Sequence, residues 1–181
     1  MKVFIAGPRA ISKLNRLVTR RMQNLINDNF KILVGDANGI DKAVQTFFYN
    51  NQYGNVEVYA SNGKIRNNVG NWLVKSVEVP SGVKGFDFYA AKDLEMAKQA
   101  DYGFMIWNGK SRGTFNNIKN LVEQNKEVLI YFTPHQKFYK VNSPEAIHQL
   151  LRIRDQKPTN ISIANSPESE DNNIKQISLF K

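Results

Sequence analysis

Residues 31–41 read Lys31-Ile32-Leu33-Val34-Gly35-Asp36-Ala37-Asn38-Gly39-Ile40-Asp41. An apolar run that stops at glycine and passes through a polar, glycine-bearing turn describes a buried strand feeding a helix. Residues 40–49 continue with Ala43, Val44, Phe47 and Phe48 on one helical face. The same unit stands just before it. Val3 to Gly7 is an apolar run stopped by Gly7-Pro8, and Leu14, Leu17, Val18, Met22, Leu25 and Ile26 then recur at helical spacing, with Ser12 as the expected N-cap.

Outward from this pair the alternation continues. Residues 56–60 form a third strand, residues 86–99 a helix, 102–107 a fourth strand, 114–125 a helix and 127–132 a fifth strand. Between them residues 61–85 lose periodicity and carry Gly63, Gly70, Pro80, Gly82 and Gly85, an irregular connector longer than compact domains ordinarily use. Phe138 to Val141 reads as an edge strand, and Ser143-Pro144-Glu145 opens a last helix that reaches Arg154. Alternating helices and nearly continuous apolar strands predict an α/β fold: a Rossmann-like three-layer sandwich over residues 1–155 with a mainly parallel five-stranded sheet. Residues 156–181 are polar and aperiodic, which predicts a flexible tail.

Composition narrows the chemistry. The 181 residues include no cysteine and only two histidines, His135 and His148, so a thiolate nucleophile and a cysteine zinc site are excluded and no metal or cofactor is implied. The longest apolar runs are far too short to span a bilayer, and the first residues lack the order of a signal peptide; a cytoplasmic protein with no membrane contact is expected. The net charge of +9 fits an anionic partner, nucleic acid or a phosphorylated small molecule, or simply a solvated basic surface. Lysines and arginines are scattered, without an aromatic-interleaved block.

In open parallel sheets ligands bind beyond the carboxyl ends of the strands. Three such ends carry unusual residues. The first gives Gly7, Pro8 and Arg9, where glycine admits a close backbone approach and Arg9 can grip an anion, although Gly-Pro is also common punctuation. The second gives Gly35, Asp36, Asn38, Gly39 and Asp41, whose carboxylates suit a ribose hydroxyl, a base edge or helix capping. The third gives Asn108, Lys110, Ser111, Gly113 and Thr114, a composition that suits phosphate, the plain alternative being a surface turn capped by Thr114. In the irregular stretch, Arg66 and Asn67 belong to a polar cluster placed to fold over the site as a lid. Trp72, Phe86, Tyr89 and Trp107 are residues to stack on a base or to fill the core.

Taken together, residues 5–9, the stretch 34–41 with Gly35, Ala37, Gly39 and Asp41 in a Gly-x-Ala-x-Gly-x-Asp pattern, and residues 109–114 resemble the SLOG-type Rossmann-like superfamily over residues 1–132. That superfamily includes the DNA-processing protein of transformation, phosphoribohydrolases that release cytokinin bases, and ligand-sensing domains of defence systems. Residues 88–101 with Gly113-Thr114 are also similar to nucleoside 2-deoxyribosyltransferases, and that resemblance implies that Asp93 and Asp101 lie at the pocket in catalytic roles. The sequence departs from the enzymes in this turn: Asn117 stands where the resemblance calls for a nucleophilic glutamate and Ser111 where it calls for an aspartate, and an amide cannot form a glycosyl ester. Three functions follow in order: binding of a nucleotide or nucleotide-derived ligand, N-glycosidic chemistry on nucleosides or nucleotides, and association with DNA. Homo-oligomerisation stays open. Near the end of the chain, Gln176-Ile177-Ser178-Leu179-Phe180 resembles the bacterial sliding-clamp-binding motif, with Gln176, Leu179 and Phe180 as its anchors.

Overall fold

In a computed structural model, which describes residues 1–156, the chain runs β1 (Lys2–Ala6), α1 (Arg16–Asn27), β2 (Lys31–Gly35), α2 (Ile40–Asn50), β3 (Val56–Ser61), β4 (Leu73–Val77), α3 (Gly85–Gln99), β5 (Tyr102–Trp107), α4 (Arg112–Glu123), β6 (Val128–Phe132), β7 (Lys137–Val141) and α5 (Pro144–Asp155). The strands form one sheet in the order β4-β3-β2-β1-β5-β6-β7, parallel throughout except that β7 runs antiparallel to β6.

Strand side chains alternate between the two faces, and both faces are apolar. Val3, Ile5, Ile32, Val34, Val58 and Phe104 pack beneath Val18, Met22 and Leu25 of α1 and Val44 and Phe48 of α2. Phe4, Leu33, Met105, Ile130 and Phe132 face the other way, against Met96 and Ala97 of α3, Ile118 and Leu121 of α4 and Leu150 of α5. Each fully buried Phe or Ile contributes about 1.5–3 kcal/mol relative to exposure, so the two apolar layers together hold the sheet between its helices. Among the described residues no helix is long and apolar enough to cross a membrane.

Three expectations are corrected. The sheet has seven strands rather than five. β7 is the edge strand foreseen at residues 138–141, and β4 emerges from the stretch that looked irregular. β4 escapes a periodicity search because it is an edge strand with little to bury: Leu73, Lys75 and Ser76 are exposed, and a lysine on an open edge is a common guard against unwanted pairing. At α1 the cap is Asn15, whose side chain accepts from the Leu17 N–H at 2.8 Å, and Ser12 lies outside the helix. α4 starts at Arg112 with Ser111 as its cap, two residues before the first expected helical position, Thr114.

The strand order places the site. From β1 the chain fills one side of the sheet through β2, β3 and β4, and α3 then carries it back to lay β5 on the other side of β1. The connections leave β1 and β5 in opposite directions, so a crevice opens beyond their carboxyl ends.

Candidate functional site

Two glycines clasp the turn after β1 onto the start of α2. A Cβ on Gly7 would lie 2.7 Å from Ile40 Cγ1, and the Pro8 carbonyl accepts the N–H groups of Ile11 and Ile40 at 3.3 Å each. Gly39 has φ +81°, a conformation nearly reserved for glycine, and any side chain there would collide with the backbone of Arg9. The backbone of Arg9 is thereby held at the crevice. Gly35 serves differently: its missing side chain leaves the space at the end of β2 in which the Asp41 carboxylate and the Lys92 ammonium meet.

The crevice is a cavity of about 380 Å³. Gly7, Arg9, Asp41, Arg66, Asp93, Ser111, Gly113, Thr114 and Asn117, all singled out in the sequence, line it, joined by Phe86, Tyr89 and Lys92 of α3. Lys92 is the residue that the sequence reading missed. Only 3% exposed, its Nζ lies 2.7 Å from Asp93 Oδ1, 3.9 Å from Asp36 Oδ1 and 4.0 Å from Asp41 Oδ2. A signal for it existed: Tyr89, Lys92 and Met96 follow helical spacing on the cavity side of α3, so a lysine occupies an inward position.

Arg66 brings a second cation. Its Nη2 and Nε donate to the two oxygens of Asp36 at 2.6 and 2.9 Å, and its backbone N–H donates to Asp36 Oδ2 at 3.0 Å. Asn67 Nδ2 donates to the Asp36 carbonyl at 2.8 Å and to Asn38 Oδ1 at 3.0 Å. Gln45, fully buried, completes the clasp by donating to the carbonyls of Gly35 and Asn67 and accepting the Val69 N–H. The lid segment foreseen around Arg66 and Asn67 is thus bound to the loop after β2.

Three carboxylates, Asp36, Asp41 and Asp93, face two cations, Lys92 and Arg66, and the cluster carries one net negative charge when all five are ionised. Burial alone would raise the Asp36 carboxyl; its hydrogen bonds from Arg66 and the charges of Lys92 and Arg66 outweigh that and hold it below the usual range. Asp41 accepts the Ala37 N–H at 3.2 Å but has no guanidinium partner. Burial pushes it up to about 6, only partly opposed by Lys92. Burial by itself would lower the Lys92 ammonium, but Asp93, Asp41 and Asp36 together raise it, so it stays charged. Among the described residues no group of three or more His, Asp or Glu is arranged to hold a metal ion.

Asn117, 4% exposed, donates from Nδ2 to Asp93 Oδ2 at 3.3 Å. It therefore positions the cavity carboxylate as an uncharged amide. At the start of α4, Ser111 Oγ accepts the Thr114 N–H at 3.3 Å and the Thr114 hydroxyl at 2.9 Å, and Asn108 Oδ1 accepts the N–H groups of Lys110 and Ser111. Of the four N–H groups that a helix start leaves over, those of Arg112 and Gly113 remain for a ligand or water. Arg66 lies over the Tyr89 ring at 4.4 Å and Arg112 over the Phe86 ring at 5.5 Å.

Not every predicted site residue lines the cavity. Pro8, Asn38, Gly39, Asn67 and Asn108 shape its loops, Asp36 lies behind the lining, and Lys110 is exposed outside it. The expected placement of Asp101 is corrected. It precedes β5 at the amino-terminal end of the sheet, where its carboxylate accepts the Lys2 N–H at 2.7 Å, away from the crevice. The tail expected over residues 156–181, with Gln176, Leu179 and Phe180, lies beyond Gln156 outside the described residues. No family model matches this chain, and neither the curated proteins nor the solved structures provide a significant match to it.

Proposed function

We propose that the chain binds a nucleotide or nucleotide-derived, phosphate-bearing small molecule in the crevice between the ends of β1 and β5. One observation carries the reading: Gly113 at the start of α4, Arg9 and the carboxylate-bearing Asp41 and Asp93 line a single cavity of about 380 Å³. Helix-start N–H groups and arginine favour an anion, and carboxylates accept hydroxyl or amino donors. A molecule with a phosphate at one end and sugar hydroxyls or a base at the other satisfies both. The test is thermal unfolding with a panel of nucleotides. A ligand present at 100 times its Kd stabilises the native state by about 2.7 kcal/mol, which for a domain of this size raises Tm by roughly 5–10 °C. Arg9→Ala should remove most of that shift, and a flat response across the panel would overturn the proposal.

A second reading is N-glycosidic chemistry, favoured by Asp93, a carboxylate oriented by both Lys92 and Asn117 on the cavity wall. With an asparagine in the place of the nucleophile, covalent glycosyl transfer is expected to be absent, and incubation with nucleosides and nucleoside monophosphates should release no base. Base release that vanishes in Asp93→Asn would replace the binding reading with the enzymatic one.

A further inference from the structure

The mouth of the cavity is built from aromatic rings and guanidinium planes. Phe86 and Tyr89 lie one turn apart on α3, both line the cavity, and both remain 45% and 41% exposed. Further along the same helix the apolar side chains of Met96 and Ala97 are buried in the core. Phe86 and Tyr89 stay at the opening. Each ring carries an arginine: Arg66 over Tyr89 at 4.4 Å and Arg112 over Phe86 at 5.5 Å. Across the opening Gly113 brings no side chain against Phe86, whose Cε2 lies 3.9 Å from where a Gly113 Cβ would stand, and Tyr89 meets Phe88 edge-on at 5.2 Å.

The Arg66 plane is set before any ligand arrives. Three hydrogen bonds to Asp36, two of them from the guanidinium, fix its orientation, so its stacking on Tyr89 costs no further ordering of the side chain. A planar, polarisable ring is the chemistry that such a surface takes: aromatic faces and guanidinium planes both stack on nucleobases, and stacking tolerates any base because every base has a π-face. The α4 start, with its open N–H groups, lies beside the same opening, so a ring and a phosphate of one molecule are both within the reach of one cavity.

We infer that Phe86, Tyr89 and Arg66 form a stacking platform for the base of the bound ligand, so that the base supplies a large part of the affinity. This rests on the reading of the cavity as a nucleotide site, and it adds the base as a recognised group and α3 as the element that recognises it.

Calorimetry on the full chain with adenosine 5′-monophosphate, uridine 5′-monophosphate and ribose 5-phosphate separates the two claims. Both nucleotides are expected to bind at least tenfold more tightly than ribose 5-phosphate. Replacing Phe86 and Tyr89 together by leucine, which keeps apolar bulk but removes the rings, should erase the advantage of the nucleotides over ribose 5-phosphate, and Tyr89→Phe should keep it; an advantage that survives the double replacement overturns the platform. Equal affinity of the wild type for ribose 5-phosphate and the nucleotides overturns the platform while the pocket stands. Absence of binding by all three probes overturns the pocket and the platform with it.

Discussion

Lys92 is the residue on which the interior of the site turns, and its removal is the sharpest test of the charge arrangement. Lys92→Met would leave Asp36, Asp41 and Asp93 without their shared buried cation, and breaking a buried ion pair from one side costs about 3–5 kcal/mol. Urea unfolding at pH 7.5 should show a loss of that size, and a loss below 1 kcal/mol would mean that water already compensates the carboxylates. Asp41 gives the site a pH signature. Because its carboxyl is raised to about 6 in the fold, the native state holds a proton that the unfolded chain has released, and the stabilisation present below about pH 4 is lost as pH rises through 6. Asp41→Asn has no such proton to lose. Relative to the wild type it should gain stability, of order 2 kcal/mol, between pH 4 and pH 7.5, as read from urea midpoints at both pH values; a constant difference would place the Asp41 titration in the ordinary range. Arg9, Gly35 and Asp41 were legible in the sequence because they sit at strand ends where glycine and charge stand out. Lys92 was not, because a lysine inside a helix looks like a solvated position until the helix face it occupies is known.

At the scale of elements, the loops after β1, β2 and β5 are set by local chemistry that single substitutions expose. Gly39→Ala puts a side chain at φ +81° and against the Arg9 backbone, and should cost of order 2–3 kcal/mol. Gly54, with nothing within 4 Å of its Cβ position and no positive φ, is the control: Gly54→Ala should stay within about 0.5 kcal/mol. Equal costs in thermal or urea unfolding would remove the clasp of α2 on the Arg9 turn from the account. The parallel strands and the helices between them were legible because each buries an apolar face with a fixed period. β4 was not, since an exposed edge strand carries no alternation and is held mainly by its pairing with β3 from Glu57 to Ser61. The α4 start was misjudged for a related reason: Ser111, Arg112 and Gly113 carry no apolar signal, and only the cap geometry reveals that the helix begins there.

At the scale of the whole molecule, the +9 charge and the peptide Gln176-Ile177-Ser178-Leu179-Phe180 carry a separate proposal, association with DNA through a sliding clamp. A net positive chain is drawn to polyanions whatever its specific ligand, through attraction that salt screens. Charge alone therefore brings it near DNA without selecting a place on it. A sliding clamp would supply that place, since the peptide resembles the motif that bacterial clamps bind, and Leu179 and Phe180 are its apolar side chains, suited to a hydrophobic groove. The peptide shares no residue with the cavity lining, so clamp binding and nucleotide binding are read in separate measurements. We expect the full chain to bind a bacterial sliding clamp in calorimetry with micromolar affinity, Gln176→Ala to weaken it, and Leu179→Ala with Phe180→Ala to abolish it, while the nucleotide-induced rise in Tm stays unchanged in all three proteins. Clamp affinity that survives both changes, or that falls away with added salt as a purely electrostatic contact does, would leave the basic surface as the only link between this chain and nucleic acid.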